Sequence, residues 1–424
     1  MNIGLDISRH PCFNASAKQT CGRVHLPVAP KCNIKCNYCN RKYDCVNESR
    51  PGVTSSVLTP QQAVLYLQEV LNKAPNITVA GIAGPGDAFA QPEVTMQTLR
   101  LIRESFPDLL LCLATNGLNL GPYVSEIADL GVSHVTVTVN AVDPEIGAKI
   151  YAWVRDGKTV YRGLAAAQLL LQRQLAAIAD LKANGIVVKV NTIVIPGIND
   201  QHVPDVSRAM NELGVDIQNC MSMYPNQGTP FGSIRELDPE ELAALRCTAE
   251  EYIPQMKHCT RCRADAVGLL EQDRSVEFRE CLSACSQTIP APTGGKPFVA
   301  VATMEGILVN QHLGEAHRFQ VWGQSPDGYQ FLEERKAPER GAGVQRWYEL
   351  AELLHDCRAV MVSGIGEIPA QVLMESGILP IEMAGFIQMG LDAVYRGGDP
   401  ALLKGRRQGC SKGMSCSGSG EGCG

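Results

Sequence analysis

Cys32, Cys36 and Cys39 fall in the segment Cys32-Asn33-Ile34-Lys35-Cys36-Asn37-Tyr38-Cys39, with three and then two residues between successive thiols. On a loop, that spacing lets three soft thiolates converge on three irons of one cubane, a donor type that suits iron–sulfur clusters. The fourth iron then has no cysteine from the motif. It is open to a chelating small molecule, such as the amino and carboxylate groups of S-adenosylmethionine (SAM). An electron passed through such a cluster can break the sulfonium C–S bond and release a 5′-deoxyadenosyl radical. The cofactor carries that chemistry while the protein orients and shields it. Structural zinc is the competing reading. Zinc prefers four closed ligands and paired C-x-x-C knuckles, and an aromatic just before the last cysteine, directly after a strand-like run, suits it less well.

Further metal-type side chains surround this motif: Cys12, Cys21, His25, Cys45, Cys112, Cys259 and Cys262. Seventeen cysteines without a secretory signal point to metal or redox chemistry in a reducing compartment rather than to a disulfide framework. Cys259 and Cys262 form a C-x-x-C and read as ligands. Cys112 or His25 alone would read as packed core, and so would the helically spaced Cys281 and Cys285. Cys220, Cys247 and Cys357 sit in apolar runs and read as small buried hydrophobes.

The elements that must position these groups alternate. β-Branched apolar runs predict strands over 25–28, 77–83, 109–114, 134–140, 186–195 and 217–224, with helices over 59–71, 93–104, 122–130, 163–183 and 203–213. Strands alternating with helices imply βαβ units and a parallel sheet, curved into a partial or full barrel. Chemistry in such sheets gathers at the strand C-termini. There the sequence places Gly84-Pro85-Gly86-Asp87, Thr115-Asn116-Gly117, Asn140 and Pro196-Gly197-Ile198-Asn199-Asp200. Glycines allow close backbone approach to a ligand, and Asp87 could receive the SAM ammonium. A Pro/Gly/Ser-rich linker over 286–297 leads to a second α/β unit, 298–403, with strands over 298–303, 319–323 and 359–362 and helices over 343–355 and 369–375. The first unit is 1–285. The tail, 404–424, is Gly/Ser-rich and bears Cys410, Cys416 and Cys423. A net charge of −6 without basic clustering excludes a nucleic-acid field, and no apolar run is long enough for a membrane span. The chain is expected to be cytoplasmic. Arg41, Lys42 and Arg50 fit either local anion binding or solvated loop charge.

Several signatures in order resemble the NifB family of nitrogenase cofactor biosynthesis proteins, which are radical SAM enzymes. They are His10-Pro11-Cys12-Phe13, Cys32 to Cys45 continuing through Asn47-Glu48-Ser49-Arg50-Pro51-Gly52, Ala114-Thr115-Asn116-Gly117-Leu118, Val190-Asn191-Thr192 with Ile195 to Asp200, and Cys259 to Leu270. Val299 to Thr303 and His312 to Phe319 resemble the NifX-like carriers of nitrogenase cofactor precursors. The resemblance implies a radical SAM partial (βα)6 TIM-type barrel followed by a small α/β, ribonuclease H-like domain. It also implies a reaction: two 4Fe-4S clusters are fused, with an added sulfur and a carbide derived from the methyl of SAM, into the eight-iron precursor of the FeMo cofactor. One SAM donates the methyl and a second yields the radical that abstracts hydrogen from it.

Carried over by position, Cys32, Cys36 and Cys39 would bind the SAM-cleaving cluster. Tyr38, Gly84, Asp87, Thr115, Asn140, Asn191 and Ile195 would contact SAM, and Cys12, His25, Cys45, Cys112, Cys259 and Cys262 would hold the precursor clusters. Cys112, Glu48 and Arg50 would assist the chemistry, and His312 and His317 could touch a cluster cargo. Expected partners are iron–sulfur cluster donors and downstream carrier or scaffold proteins. The sequence departs from the family pattern at Ala88-Phe89, after the Gly-Pro-Gly-Asp turn. Two other functions fit the same residues: a radical SAM enzyme with auxiliary clusters acting on a small organic or peptide substrate, and a non-catalytic cluster carrier.

Overall fold

Side-chain alternation within the strands sets the architecture of the first half of the chain. Leu111, Leu113, Val135, Val137, Val188 and Val190 turn to one face of a sheet and pack against Leu67, Val70, Met96, Leu99, Ile178 and Leu181. Those partners come from the helices Pro60–Lys73, Pro92–Ser105 and Gly163–Ala183. Each such fully buried aliphatic side chain contributes roughly 1.5–3 kcal/mol. The residues between them point to the opposite face, and those are polar: Cys112, His134, Thr136, Lys189 and Asn191. Parallel strands buried on both faces usually read as continuous apolar runs. Here the polar half marks a lumen.

The computed structural model describes residues 5–47, 52–259, 262–288, 295–325 and 328–396, in two units that divide between Ser286 and Gln287. In the first, the strands Gly22–His25, Ile77–Ile82, Leu110–Thr115, Val132–Thr138, Val187–Val194 and Ile217–Ser222 run parallel in chain order. The short strand Val267–Gly268 pairs antiparallel with the first of them. Among the described residues the two ends of the sheet do not pair with each other, so the barrel is partial.

Three features differ from expectation. The first strand covers Gly22–His25 rather than 25–28. Pro27 has no N–H for a ladder, and the Val28 N–H turns back to the Leu26 carbonyl at 2.9 Å. The cysteine motif is not wholly a loop. Ile34–Cys36 is a strand in a separate antiparallel sheet with Tyr151–Asp156 and Thr159–Tyr161, and Cys36 lies opposite Tyr151. The helices Pro144–Ile150, Pro239–Glu250 and Arg279–Gln287 were not anticipated, and the last runs into residues expected as linker.

The second unit is a five-stranded sheet in the order Gly328–Lys336, Arg318–Ser325, Phe298–Val301, Cys357–Val362, Leu379–Glu382. The first two form an antiparallel hairpin and the last three run parallel. The helices Gln345–Leu353, Glu367–Glu375 and Ile387–Arg396 complete it. The strands Gly328–Lys336 and Leu379–Glu382 and the last helix add to the expected elements. All four exposed or half-exposed charges at 333–336 lie on the outer hairpin strand, which masks its apolar signal.

Candidate active site

The cysteine motif is seated on the barrel's rim by backbone contact with the Gly-Pro-Gly-Asp turn. The Gly86 N–H donates to the Ala29 carbonyl at 2.6 Å and the Asp87 N–H to the Lys31 carbonyl at 2.8 Å. A Cβ on Gly86 would lie 2.1 Å from the Lys31 carbonyl oxygen, so only glycine allows this approach. Cys32, Cys36, Cys39 and Cys45 line one cavity with Tyr38, Arg41, Asn47, Gly86, Asp87, Thr115, Asn116 and Thr138. All four are free thiols. Burial pushes Cys32 up to about 12, with the Asp87 carboxylate and then Cys39 adding to it, and burial raises Cys36 and Cys45 as well, both further raised by neighbouring thiols. Closely gathered buried sulfurs that disfavour one another's charge are stabilised when a metal takes their protons' place. The donor set therefore fits an iron–sulfur cluster.

Asp87 is buried and lines the cavity. Its carboxylate accepts from the Asn116 N–H at 2.6 Å, the Phe89 N–H at 2.9 Å and the Thr115 hydroxyl at 3.1 Å. Burial raises its pKa, against those backbone and Thr115 donors. These hydrogen bonds join two strand ends. Tyr38 is likewise occupied: its hydroxyl donates to Asn47 Oδ1 at 2.7 Å and accepts from Asn140 Nδ2 at 2.8 Å. Asn191 Nδ2 donates to the Asn47 carbonyl at 2.9 Å. The amide of Ile195 donates to Asn199 Oδ1 at 2.7 Å.

Of the residues expected to contact SAM, Tyr38, Asp87 and Thr115 line the cavity. Gly84, Asn140, Asn191 and Ile195 do not. Gly84 shapes the turn with a φ of +129°. Asn140 and Asn191 brace the residues that line the cavity, and Ile195 is core. Gly86, Asn47, Asn116 and Thr138 were missed. Gly86, Asn47 and Asn116 stand inside motifs already quoted, while Thr138 carries no local signal.

A second sulfur-bearing region lies in the lumen. His25, Gly81, Cys112 and His134 occupy one row across four adjacent strands. A Cβ on Gly81 would sit 3.2 Å from both the Cys112 sulfur and His25 Cδ2, so the gap at Gly81 brings those two side chains towards each other. His25 Nδ1 lies 2.9 Å from the Arg263 carbonyl oxygen. A carbonyl can only accept, so Nδ1 carries the proton and Nε2 is left with a lone pair for metal. Burial, then Arg23, holds His25 down to about 4, so the ring is neutral at pH 7. Cys12 feels the charges of Lys189, Cys262, Arg23 and Cys259, and burial pushes it up to about 12. Arg23 donates to the Cys262 sulfur. The fold brings His25 and Cys112 together and joins Cys45 to the motif cysteines, while Cys12 lies within electrostatic reach of Cys259 and Cys262, and Cys259 also packs against the core that holds Cys36 and Cys39. Glu48 and Arg50 lie outside the described residues, as do Cys410, Cys416 and Cys423.

The remaining cysteines take other places. Cys220, Cys285 and Cys357 are buried, and Cys281 packs against the same core as Cys285. Cys247 is exposed, contrary to expectation; its helix, Pro239–Glu250, is mostly solvent-facing. Cys21 is buried. In the second unit His312 is half-buried against Gly364 and His317 is exposed.

The Radical SAM superfamily matches residues 26–210, and the Dinitrogenase iron-molybdenum cofactor family matches residues 295–397. The FeMo cofactor biosynthesis protein NifB of Chlorobaculum tepidum is 50% identical over 421 residues, covering 99% of this chain and 99% of that protein. The protein of the same name from Klebsiella pneumoniae is 43% identical, covering 88% and 86%. Among solved structures, Streptococcus suis SuiB bound to S-adenosylmethionine aligns with a TM-score of 0.41 and 14% identity, over 55% of this chain and 50% of that one. Cysteine motif, polar lumen and second unit thus sit on one chain that matches its relatives nearly end to end, and the chain belongs to the NifB family of radical SAM enzymes.

Proposed function

We propose that this chain makes the eight-iron precursor of the nitrogenase FeMo cofactor, with two 4Fe-4S clusters as substrates and SAM as the source of the inserted carbon. The observation that carries the reading is the pairing, in one barrel, of a rim cavity lined by the three motif cysteines and Cys45 with a separate set of sulfur and imidazole side chains in the lumen. Relatives of nearly equal length that are named for FeMo cofactor biosynthesis support it.

Cys32, Cys36 and Cys39 would hold the SAM-site cluster. When bound, cluster and SAM supply reductive cleavage of the sulfonium bond and methyl donation. Asp87 with Thr115 and Asn116 fixes the cavity wall, and Tyr38 with Asn47 and Asn140 closes the floor and keeps water out. Cys12, His25, Cys112, Cys259 and Cys262 would receive the substrate clusters. Cys45, beside the motif cysteines, would stand at the boundary between the two regions. Neutral His25 presents Nε2 without first losing a proton. Glu48 and Arg50 would serve the same rim. The second unit would carry product, handing it to cofactor carrier or scaffold proteins, and cluster donors would load the lumen. Among the described residues no helix is long and apolar enough to cross a membrane; we place the chain in the cytoplasm.

The deciding experiment is anaerobic reconstitution followed by iron quantification and product analysis. Three four-iron clusters per chain and conversion of SAM to both S-adenosylhomocysteine and 5′-deoxyadenosine are expected. A carrier would give neither product. An enzyme for an organic substrate would give 5′-deoxyadenosine without S-adenosylhomocysteine.

A further inference from the structure

Arg23 lies on the first strand, facing the lumen, with 1% of its surface exposed. An arginine stays charged at any accessible pH, and a buried cation is strongly unfavourable unless an anion meets it. The hydrogen-bond partners of this guanidinium are two carbonyls and a sulfur, and the Cys12 thiol and the Asp273 carboxylate lie within electrostatic reach. Nη1 donates to Gly268 at 2.5 Å and Leu269 at 2.8 Å, while Nη2 and Nε donate to the Cys262 sulfur at 3.1 and 3.4 Å. The planar fork normally matches two oxygens of a carboxylate or phosphate. Here two of its arms close on one sulfur.

The local backbone makes this arrangement deliberate. Arg23 lies opposite Gly268 in the antiparallel ladder with Val267–Gly268, and the His25 N–H donates to the Ala266 carbonyl at 2.8 Å. The segment that carries Cys262 is therefore fastened to the strand that carries Arg23. Cys262 is aimed by the same guanidinium that would offset its charge. Hydrogen bonds to cluster sulfurs and the charge around them set reduction potential.

We infer that Arg23 is a positioning residue for a substrate cluster: it fixes the Cys262 sulfur and supplies the positive charge that offsets the anionic cluster bound there. The inference rests on the reading of Cys262 as a cluster ligand. An arginine at this place compensates a thiolate-ligated, anionic cargo. It would gain nothing from a neutral organic substrate.

The test uses the full chain reconstituted with iron and sulfide, as wild type, Arg23→Gln, Arg23→Lys and Cys262→Ala, each checked for fold by circular dichroism. Redox titration followed by electron paramagnetic resonance separates the clusters, since the SAM-site signal changes when SAM is added. In Arg23→Gln the midpoint of one other cluster is expected to shift downward, with the SAM-site midpoint unchanged. Loss of that cluster's iron to a chelator is expected to quicken on the order of ten- to a hundred-fold. Arg23→Lys, which restores charge without the fork, should recover part of both effects. Wild-type midpoints and iron retention in Arg23→Gln would overturn the inference. Cys262→Ala tests the underlying reading separately: unchanged iron content there removes Cys262 as a ligand, whatever Arg23 does. If both arginine variants unfold, wild-type protein labelled with 15N-arginine decides. A guanidinium nitrogen coupling to a cluster other than the SAM-site one upholds the inference, and its absence refutes it.

Discussion

Single residues here act mostly by occupying one another. Tyr38 hydrogen-bonds Asn47 and Asn140 in a buried setting. Tyr38→Phe leaves both amides short of a partner, and an unsatisfied buried polar group costs about 1–3 kcal/mol. Denaturant unfolding of the metal-free chain should report a loss of that size. SAM cleavage should fall too, because Asn47 belongs to the cavity wall. Buried imidazoles give a pH signature. Burial holds His134 down to about 3 and His25 to about 4, and puts His10 well below its ordinary value. Unfolded imidazoles titrate at about 6.5, so between there and the folded values the unfolded chain binds more protons. The stability of the metal-free chain should be full above pH ~6.5 and fall as pH drops towards ~4. In calorimetric scans His134→Asn should flatten that fall, and an unaltered slope would rule out His134 as a contributor.

Elements locate the site through their ends. The turn after Ile77–Ile82 must pass the Lys31 backbone so closely that Gly86 has no room for a side chain. Gly86→Ala should lower stability by about 1–3 kcal/mol, as overpacking does. The same change should displace the cysteine motif, so SAM-site iron should drop more than lumen iron. The first long helix offers a contrast. Thr59 and Gln62 form a reciprocal capping box at its start, and Thr59→Ala should cost about 1 kcal/mol while leaving cluster content intact. Loss of iron in that variant would show that the helix start is coupled to the site.

At the scale of the whole molecule, the two units have separate cores. Every residue placed at the rim or in the lumen belongs to the first. A chain ending at residue 288 should therefore fold, bind the same number of clusters and convert SAM at a rate within a few-fold of the full chain. It should lose whatever handover the second unit provides, read as slower transfer of product to an acceptor protein. Failure of the shortened chain to cleave SAM would mean that the second unit takes part in the chemistry.

The sequence by itself determined the donor types. Three thiols at fixed spacing specify which metal chemistry is open to them, and strand–helix alternation is a local periodicity, so five of the six barrel strands were legible to within a few residues. Contacts between segments far apart in the chain were not legible. The strand Ile34–Cys36 exists because Tyr151–Asp156 pairs with it. Arg23 and Cys262 are 239 residues apart, and Gly81 matters only because His25 and Cys112 flank it. The places of Asn140 and Asn191 near strand ends are legible in the sequence, but their hydrogen bonds to Tyr38 and Asn47 are set by direction and register. Residue type sets what a group can do, whereas its partner is set by sheet register and packing, which no local stretch of sequence contains.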